Sequence, residues 1–282
     1  MRPRVPLPLL LRLRQARYLP LEWWDRLRGR HDPLMPPRWL QFVGGGDFAT
    51  IGQRFVEHFK QLAALEPEER VLDVGCAVGR IASALTGYLK PPGSYCGFDV
   101  VHEGIEWCQR VVTSQHPHFQ FLHADVFNAA YNPLGSRSAS EYPFPYEDAA
   151  FDFVFLTSVF THMRPPEMRH YLAEIRRVLR PTGRCFATYF ILNDDARARM
   201  AGPRSLYNFH HDAGGFFTTS PERPEAAVAY DEAVLRSHFD TAGFTLKASY
   251  PGGWCGRDGS VDGQDIVLLS PATPHSIAAP TS

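Results

Sequence analysis

Apolar residues follow two rhythms along most of this chain. From Phe48, the residues Ile51, Phe55, Phe59, Leu62 and Leu65 recur at three- and four-residue steps, which places them on one face of a helix. Short β-branched and aromatic runs then alternate with helical ones. Strands are predicted at 70–74, 94–100, 119–123, 151–157 and 183–190, and helices at 79–89, 102–115 and 166–179. In the last of these, Met168, Leu172, Ile175 and Leu179 make a core stripe that Pro181 and Gly183 bring to an end. A helix at 231–242 precedes two final strands, 244–250 and 265–270. Seven strands interleaved with helices predict an α/β, Rossmann-like fold, a mostly parallel sheet with helices on both faces. Right-handed crossovers place the loops that follow the strands along one edge, where such sheets take ligands.

Three segments exceed what connections need: 126–150, 191–230 and 251–263. Their aromatic content, from Tyr142-Pro143-Phe144 to Tyr207-Asn208-Phe209-His210-His211, predicts packed lids near 126–150 and 191–230. Residues 1–45 are rich in Pro, Arg and Trp and read as an N-terminal basic, apolar extension. The domain proper is expected over 46–272, with a tail at 273–282. The extension has three readings: an arm docked on the domain, an arm left loose, or a helix in peripheral contact with a membrane surface. Its leucine run is interrupted by Arg12 and Arg14 and is followed by no small-residue cleavage site, so a secretory leader is not expected. No stretch approaches the length of a transmembrane helix.

Composition changes this picture little. With 282 residues, 44% hydrophobic and a net charge of -1, the chain lacks the global field that attracts nucleic acid, and no nucleic-acid partner is expected. Five scattered cysteines form no metal-binding pattern and suit a reducing, cytoplasmic setting. No metal site is predicted.

The chemistry concentrates in Val71-Leu72-Asp73-Val74-Gly75-Cys76-Ala77-Val78-Gly79-Arg80. A strand ends in an acid, two glycines bend the chain, and a helix begins; glycine permits positive φ and lets a ligand lie against bare backbone. The amides of the helix start favour a negatively charged group. The glycine spacing is G-x-x-x-G, not the G-x-G-x-x-G of dinucleotide sites. This run resembles the first motif of the class I S-adenosylmethionine-dependent methyltransferases, of the small-molecule type. Tyr171-Leu172-Ala173-Glu174-Ile175-Arg176-Arg177-Val178-Leu179-Arg180-Pro181-Thr182-Gly183 also matches that family's helix and turn before the fifth strand, and the likeness covers roughly 70–190. One departure is Ala77-Val78, where the family's turn more often carries a third glycine.

The resemblance implies an antiparallel last strand, S-adenosyl-L-methionine as cofactor and methyl transfer as the activity. It implies that the turn residues Asp73, Gly75, Cys76, Gly79 and Arg80 wrap the methionine end of the cofactor. Asp99, ending the second strand, would accept from the ribose hydroxyls; the competing reading is a cap on the next helix. Asp125 and Val126 would meet the adenine, through a carboxylate and a backbone N–H respectively. Ile105 and Trp107 are either packed on the adenine face or part of the core. Thr157 and His162 follow the fourth strand, which the family places beside the reactive methyl. His162 is either a general base, with an intrinsic pKa near ~6.5, or a packed histidine that moves no proton. Tyr207, His210 and His211 on the second lid are expected to touch substrate. Gly44-Gly45-Gly46 either folds over the methionine end or serves as a hinge.

The acceptor is narrowed by what the chain lacks. Enzymes that methylate exocyclic amines of bases carry N/D-P-P-Y/F after the fourth strand; here the chain reads Leu156-Thr157-Ser158-Val159. A partly apolar small molecule is expected, with O-methylation ahead of N- or C-methylation. The alternatives are a methyltransferase acting on RNA or protein, and a cofactor-binding module without turnover. A nicotinamide oxidoreductase would require a different glycine pattern.

Overall fold

The computed structural model describes residues 7–28, 32–42 and 45–272. The expected tail at 273–282, residues 1–6 of the extension, and Gly44 lie outside the described residues. The chain divides into two compact units, one reaching Tyr142 and the other beginning at Pro143.

The first unit contains α1 (Leu7–Leu27), α2 (Phe48–Ala63), β1 (Arg70–Val74), α3 (Arg80–Leu85), β2 (Ser94–Asp99), α4 (His102–Cys108) and β3 (Phe119–His123). The predicted stripe buries Phe55 and Phe59 of α2, with Leu65 just beyond the helix. Asp47 caps the helix by accepting from the Thr50 N–H at 2.9 Å. Ala64, left-handed at φ 48°, ends it. The helix predicted over 102–115 is present, but past Cys108 it continues as a π-turn, Gln109–Thr113. α3 is shorter than predicted, at six residues.

The second unit contains β4 (Phe151–Leu156), α5 (Pro165–Val178), β5 (Leu179–Tyr189), β6 (Ile191–Leu192), α6 (Asp194–Met200), β7 (His211–Asp212), β8 (Phe217–Thr218), β9 (Val228–Asp231), α7 (Glu232–Thr241), β10 (Phe244–Tyr250) and β11 (Asp265–Pro271). β11 runs antiparallel to both β10 and β5, as expected of the last strand. The main sheet has seven strands, a Rossmann-like arrangement, in the order β1-β2-β3 within the first unit and β10-β11-β5-β4 within the second.

The segment 191–230 is more structured than the predicted lid. Its short strands make a second sheet, β6-β9-β8-β7. Phe190, Leu192, Phe209 and Trp254 pack into one buried cluster beside it. Asp265, 4% exposed, ties the 251–263 segment to this cluster by accepting from the N–H groups of Ile191 and Gly252 and from the Trp254 indole at 2.6–2.8 Å. Burial nonetheless holds its carboxyl above the usual range.

Candidate cofactor site

The first turn of the first unit is built by neighbouring strand ends. β1 lies parallel to β2, with Asp73 opposite Gly97 and Val74 opposite Phe98. Gly75 and Cys76 both donate their N–H groups to the Phe98 carbonyl, at 2.9 and 3.1 Å. The chain then passes through left-handed backbone at Gly75 (φ 90°), Ala77 (φ 49°) and Gly79 (φ 73°), and the Gly79 N–H closes onto the Cys76 carbonyl at 2.9 Å. At Ala77 the Cβ makes this conformation cost about 1 kcal/mol, which explains why glycine is favoured there. Asp99 holds the strained residue in place. Its Oδ2 accepts from the Ala77 N–H at 2.7 Å, while its Oδ1 accepts from the Val101 N–H at 2.8 Å.

Bare backbone surrounds the turn. A Cβ on Gly79 would lie 2.8 Å from Cys108 Sγ, and one on Gly104 would lie 2.8 Å from the Ala77 carbonyl oxygen. A Cβ on Gly97 would meet the Tyr95 hydroxyl at 2.7 Å, so that hydroxyl has a passage only because Gly97 lacks a side chain. Tyr95 uses it to donate to Asp73 Oδ2 at 2.7 Å. Asp73 is 2% exposed, and its Oδ1 has no hydrogen-bond partner among the described residues.

An unpartnered oxygen on a buried carboxyl is costly. Burial pushes the Asp73 carboxyl well above the ordinary range; the Tyr95 hydroxyl pulls it down and nearby Asp99 pushes it further up. Burial also raises Asp99, against the N–H groups of Val101, Ala77 and Val100. With the buried Asp73 and the half-buried Asp99 at hand and only a short helix behind it, the turn favours a cation near Asp73. The anion preference expected of the helix start is thereby outweighed.

The Arg80 guanidinium reaches the Gly45 carbonyl at 3.3 Å, joining the glycine run to the turn. Ile105 and Trp107 are core residues at 1% and 4% exposure. Asp125 is exposed, and its carboxylate accepts from both the N–H and the hydroxyl of Ser136. The Val126 N–H donates to the Ala124 carbonyl at 2.8 Å. In the second unit, Thr157 is half-buried at the end of β4. His162 is exposed in a 3-10 turn, with its Nδ1 3.0 Å from the Glu225 carbonyl. Tyr207 packs against Phe190 and Phe209, and His210 and His211 are exposed. Among the described residues no group of side chains could hold a metal ion.

Residues 71–183 match the family described as methyltransferase domain. A phthiotriol/phenolphthiotriol dimycocerosates methyltransferase of Mycobacterium ulcerans is 37% identical over 115 residues, covering 41% of this chain and 35% of that protein. A fatty-acid O-methyltransferase of Mycolicibacterium smegmatis is 34% identical over 135 residues, covering 48% and 40%. The alignments thus span little more than a third of the length of these relatives. The fold is similar to that of the crystallised PH0226 protein of Pyrococcus horikoshii, with a TM-score of 0.55 at 15% identity, covering 82% of this chain and 94% of that one.

Residues 71–183 are similar to the methyltransferase domain family.

The methyltransferase turn fits the family's cofactor. The bare Asp73 Oδ1 suits a group that brings a positive charge, as the ammonium of a methionine tail does. Asp99 Oδ2 accepts from the Ala77 N–H and Oδ1 from the Val101 N–H, and a carboxylate oxygen with two lone pairs can also take a hydroxyl donor. Asp99 does not cap α4, whose N-cap residue Val101 makes no side-chain cap bond; its carboxylate braces the turn instead.

Sequence reasoning overlooked four residues that shape this domain. Tyr95, Gly97 and Gly104 support the turn from beneath, and the glycine inside the strand Tyr95-Cys96-Gly97-Phe98 was a readable sign of close approach. Ser158 holds left-handed backbone at φ 59° directly after Thr157. Its N–H donates to Thr188 Oγ1 at 2.8 Å and its hydroxyl to Gln264 at 3.1 Å. Serine gives little warning of such a conformation.

Proposed function

We propose that this chain transfers a methyl group from S-adenosylmethionine to a small, partly apolar acceptor, with oxygen the favoured acceptor atom. The observation that carries this reading is the buried, half-partnered Asp73 beside a turn already folded around left-handed backbone. The two relatives, named for action on phthiotriol/phenolphthiotriol dimycocerosates and on fatty acids, support a lipid-like acceptor. When bound, the cofactor supplies a methyl group already activated by its sulfonium. What remains for the protein is alignment and exclusion of water. In this reading Asp73 receives the ammonium, Asp99 the ribose and Asp125 the adenine amino group, with Gly75, Cys76, Gly79 and Arg80 completing the cofactor contacts.

A hydroxyl or carboxyl acceptor needs its proton removed or already absent. His162 suits the first case. The Glu225 carbonyl can only accept, so the proton sits on Nδ1 and Nε2 keeps a free lone pair. Tyr207, His210 and His211 are assigned to acceptor contact. A cytoplasmic location is part of the same proposal.

The test has two stages. Calorimetric titration should give binding of S-adenosylmethionine and none of NAD. Labelled methyl transfer should then reach long-chain fatty acids or hydroxylated lipids in preference to RNA or protein. Binding without turnover on any acceptor would leave a binding module, and absence of binding at millimolar cofactor would end the proposal.

A further inference from the structure

α1 presents its apolar side to solvent. By helical spacing Leu9, Leu13, Pro20, Trp23, Trp24 and Leu27 share one face, and all are exposed, Leu13 at 57%, Trp23 at 64% and Leu27 at 62%. A surface helix ordinarily turns such a stripe inward. Here the inward face is fixed by other means. Leu11 is buried, and Arg14 donates to the carbonyls of Trp39, Arg38 and Gln41 at 2.9–3.1 Å. These bonds hold the helix with its apolar stripe outward.

Arginines border the stripe. By helical spacing Arg12 lies on one side of it and Arg17 and Arg28 on the other; all three are exposed, and the Arg28 guanidinium stands 4.4 Å over the Trp24 ring. The helix's arginines leave it insufficiently apolar to cross a membrane. An outward apolar face with paired tryptophans and basic borders has the composition of a helix that lies in the plane of a bilayer surface. A second copy of the chain would bring the same arginines against these, whereas anionic headgroups complement them.

We propose that α1 is an interfacial helix that lays this chain on an anionic lipid bilayer. The inference is independent of the acceptor and of turnover.

Sedimentation of the full chain with vesicles tests it. Vesicles of phosphatidylcholine containing one third phosphatidylglycerol should carry the protein down, vesicles of phosphatidylcholine alone far less, and high salt should release it. The variant Leu13→Gln/Trp23→Gln/Leu27→Gln should lose binding about tenfold or more. The variant Arg12→Gln/Arg17→Gln should lose roughly fivefold per arginine. Brominated lipids should quench tryptophan emission of the unaltered chain, a measurement that does not depend on how any variant folds. Binding indifferent to lipid charge, absence of quenching, or a dimer in light scattering that the glutamine variant dissociates would each overturn the proposal.

Discussion

The Tyr95 hydroxyl donates to Asp73 Oδ2 at 2.7 Å beneath the bare Cα of Gly97. One oxygen of the buried acid is thereby satisfied and the other is not. Removing the hydroxyl in Tyr95→Phe removes the one bond that lowers the Asp73 carboxyl, so its carboxylate form disappears at a higher pH. Affinity for S-adenosylmethionine at neutral pH should fall about tenfold, the scale of a hydrogen bond to a charged group. The acid limb of the binding curve should move upward. Calorimetry across pH reads both, and an unshifted limb would remove Tyr95 from the site.

Asp73→Asn should separate stability from binding. A carboxyl raised by burial contributes stability below its unfolded pKa of ~3.9 and loses it as pH rises through the folded value. The amide variant is spared that loss. It should melt a few degrees above the parent at neutral pH, with the gap closing near pH ~4, and should bind cofactor much more weakly. Thermal melts at the two pH values, with and without ligand, decide this.

Gly79→Ala combines a left-handed backbone with a Cβ placed 2.8 Å from Cys108 Sγ. Gly104→Ala directs its Cβ at the Ala77 carbonyl at the same distance. Each should cost about 2–4 kcal/mol in denaturant unfolding and reduce cofactor affinity. The loss of affinity should exceed that of a substitution of equal stability cost in the second unit.

His162→Ala should leave the melting temperature unchanged, because the ring is exposed. If the imidazole takes the acceptor's proton, kcat should drop roughly 10²–10⁴-fold on a hydroxyl acceptor, with loss of the acid limb of the rate profile. Retained turnover with an ordinary pH profile would reduce His162 to a packing role.

Arg177 fastens the segment that opens the second unit. It donates to Glu174, to Asp148 and to the carbonyls of Phe144 and Tyr146 at 2.6–3.0 Å. Burial raises the Glu174 carboxyl, but bonds from Arg177 and the Phe144 N–H outweigh it and hold the group below its usual range. A lowered carboxyl gives stability that is present above its unfolded pKa of ~4.3 and disappears as pH falls through the folded value. Arg177→Met should therefore cost about 1–3 kcal/mol at neutral pH and progressively less in acid, measured by urea unfolding at both ends.

The frame of the fold was legible because its determinants are local. Val71 to Val74 form an apolar strand, Gly75 and Gly79 bend it, and Asp73 and Asp99 close successive strands, each readable from residue type and spacing. The second sheet escaped because β6, β7 and β8 are two residues long and carry no periodicity. The Tyr95–Asp73 bond escaped because it crosses 22 residues and depends on sheet register. The outward face of α1 escaped because a stripe at helical spacing does not reveal which side meets water; the three Arg14 bonds decide that.

Asp99 fixes Ala77 in its left-handed form through side-chain and backbone atoms of the first unit alone. The cradle is thus shaped before any guest arrives, and little association free energy goes into ordering it. Cofactor uptake should follow a single kinetic phase with a rate proportional to concentration. A slower phase independent of concentration would indicate that another part of the chain rearranges.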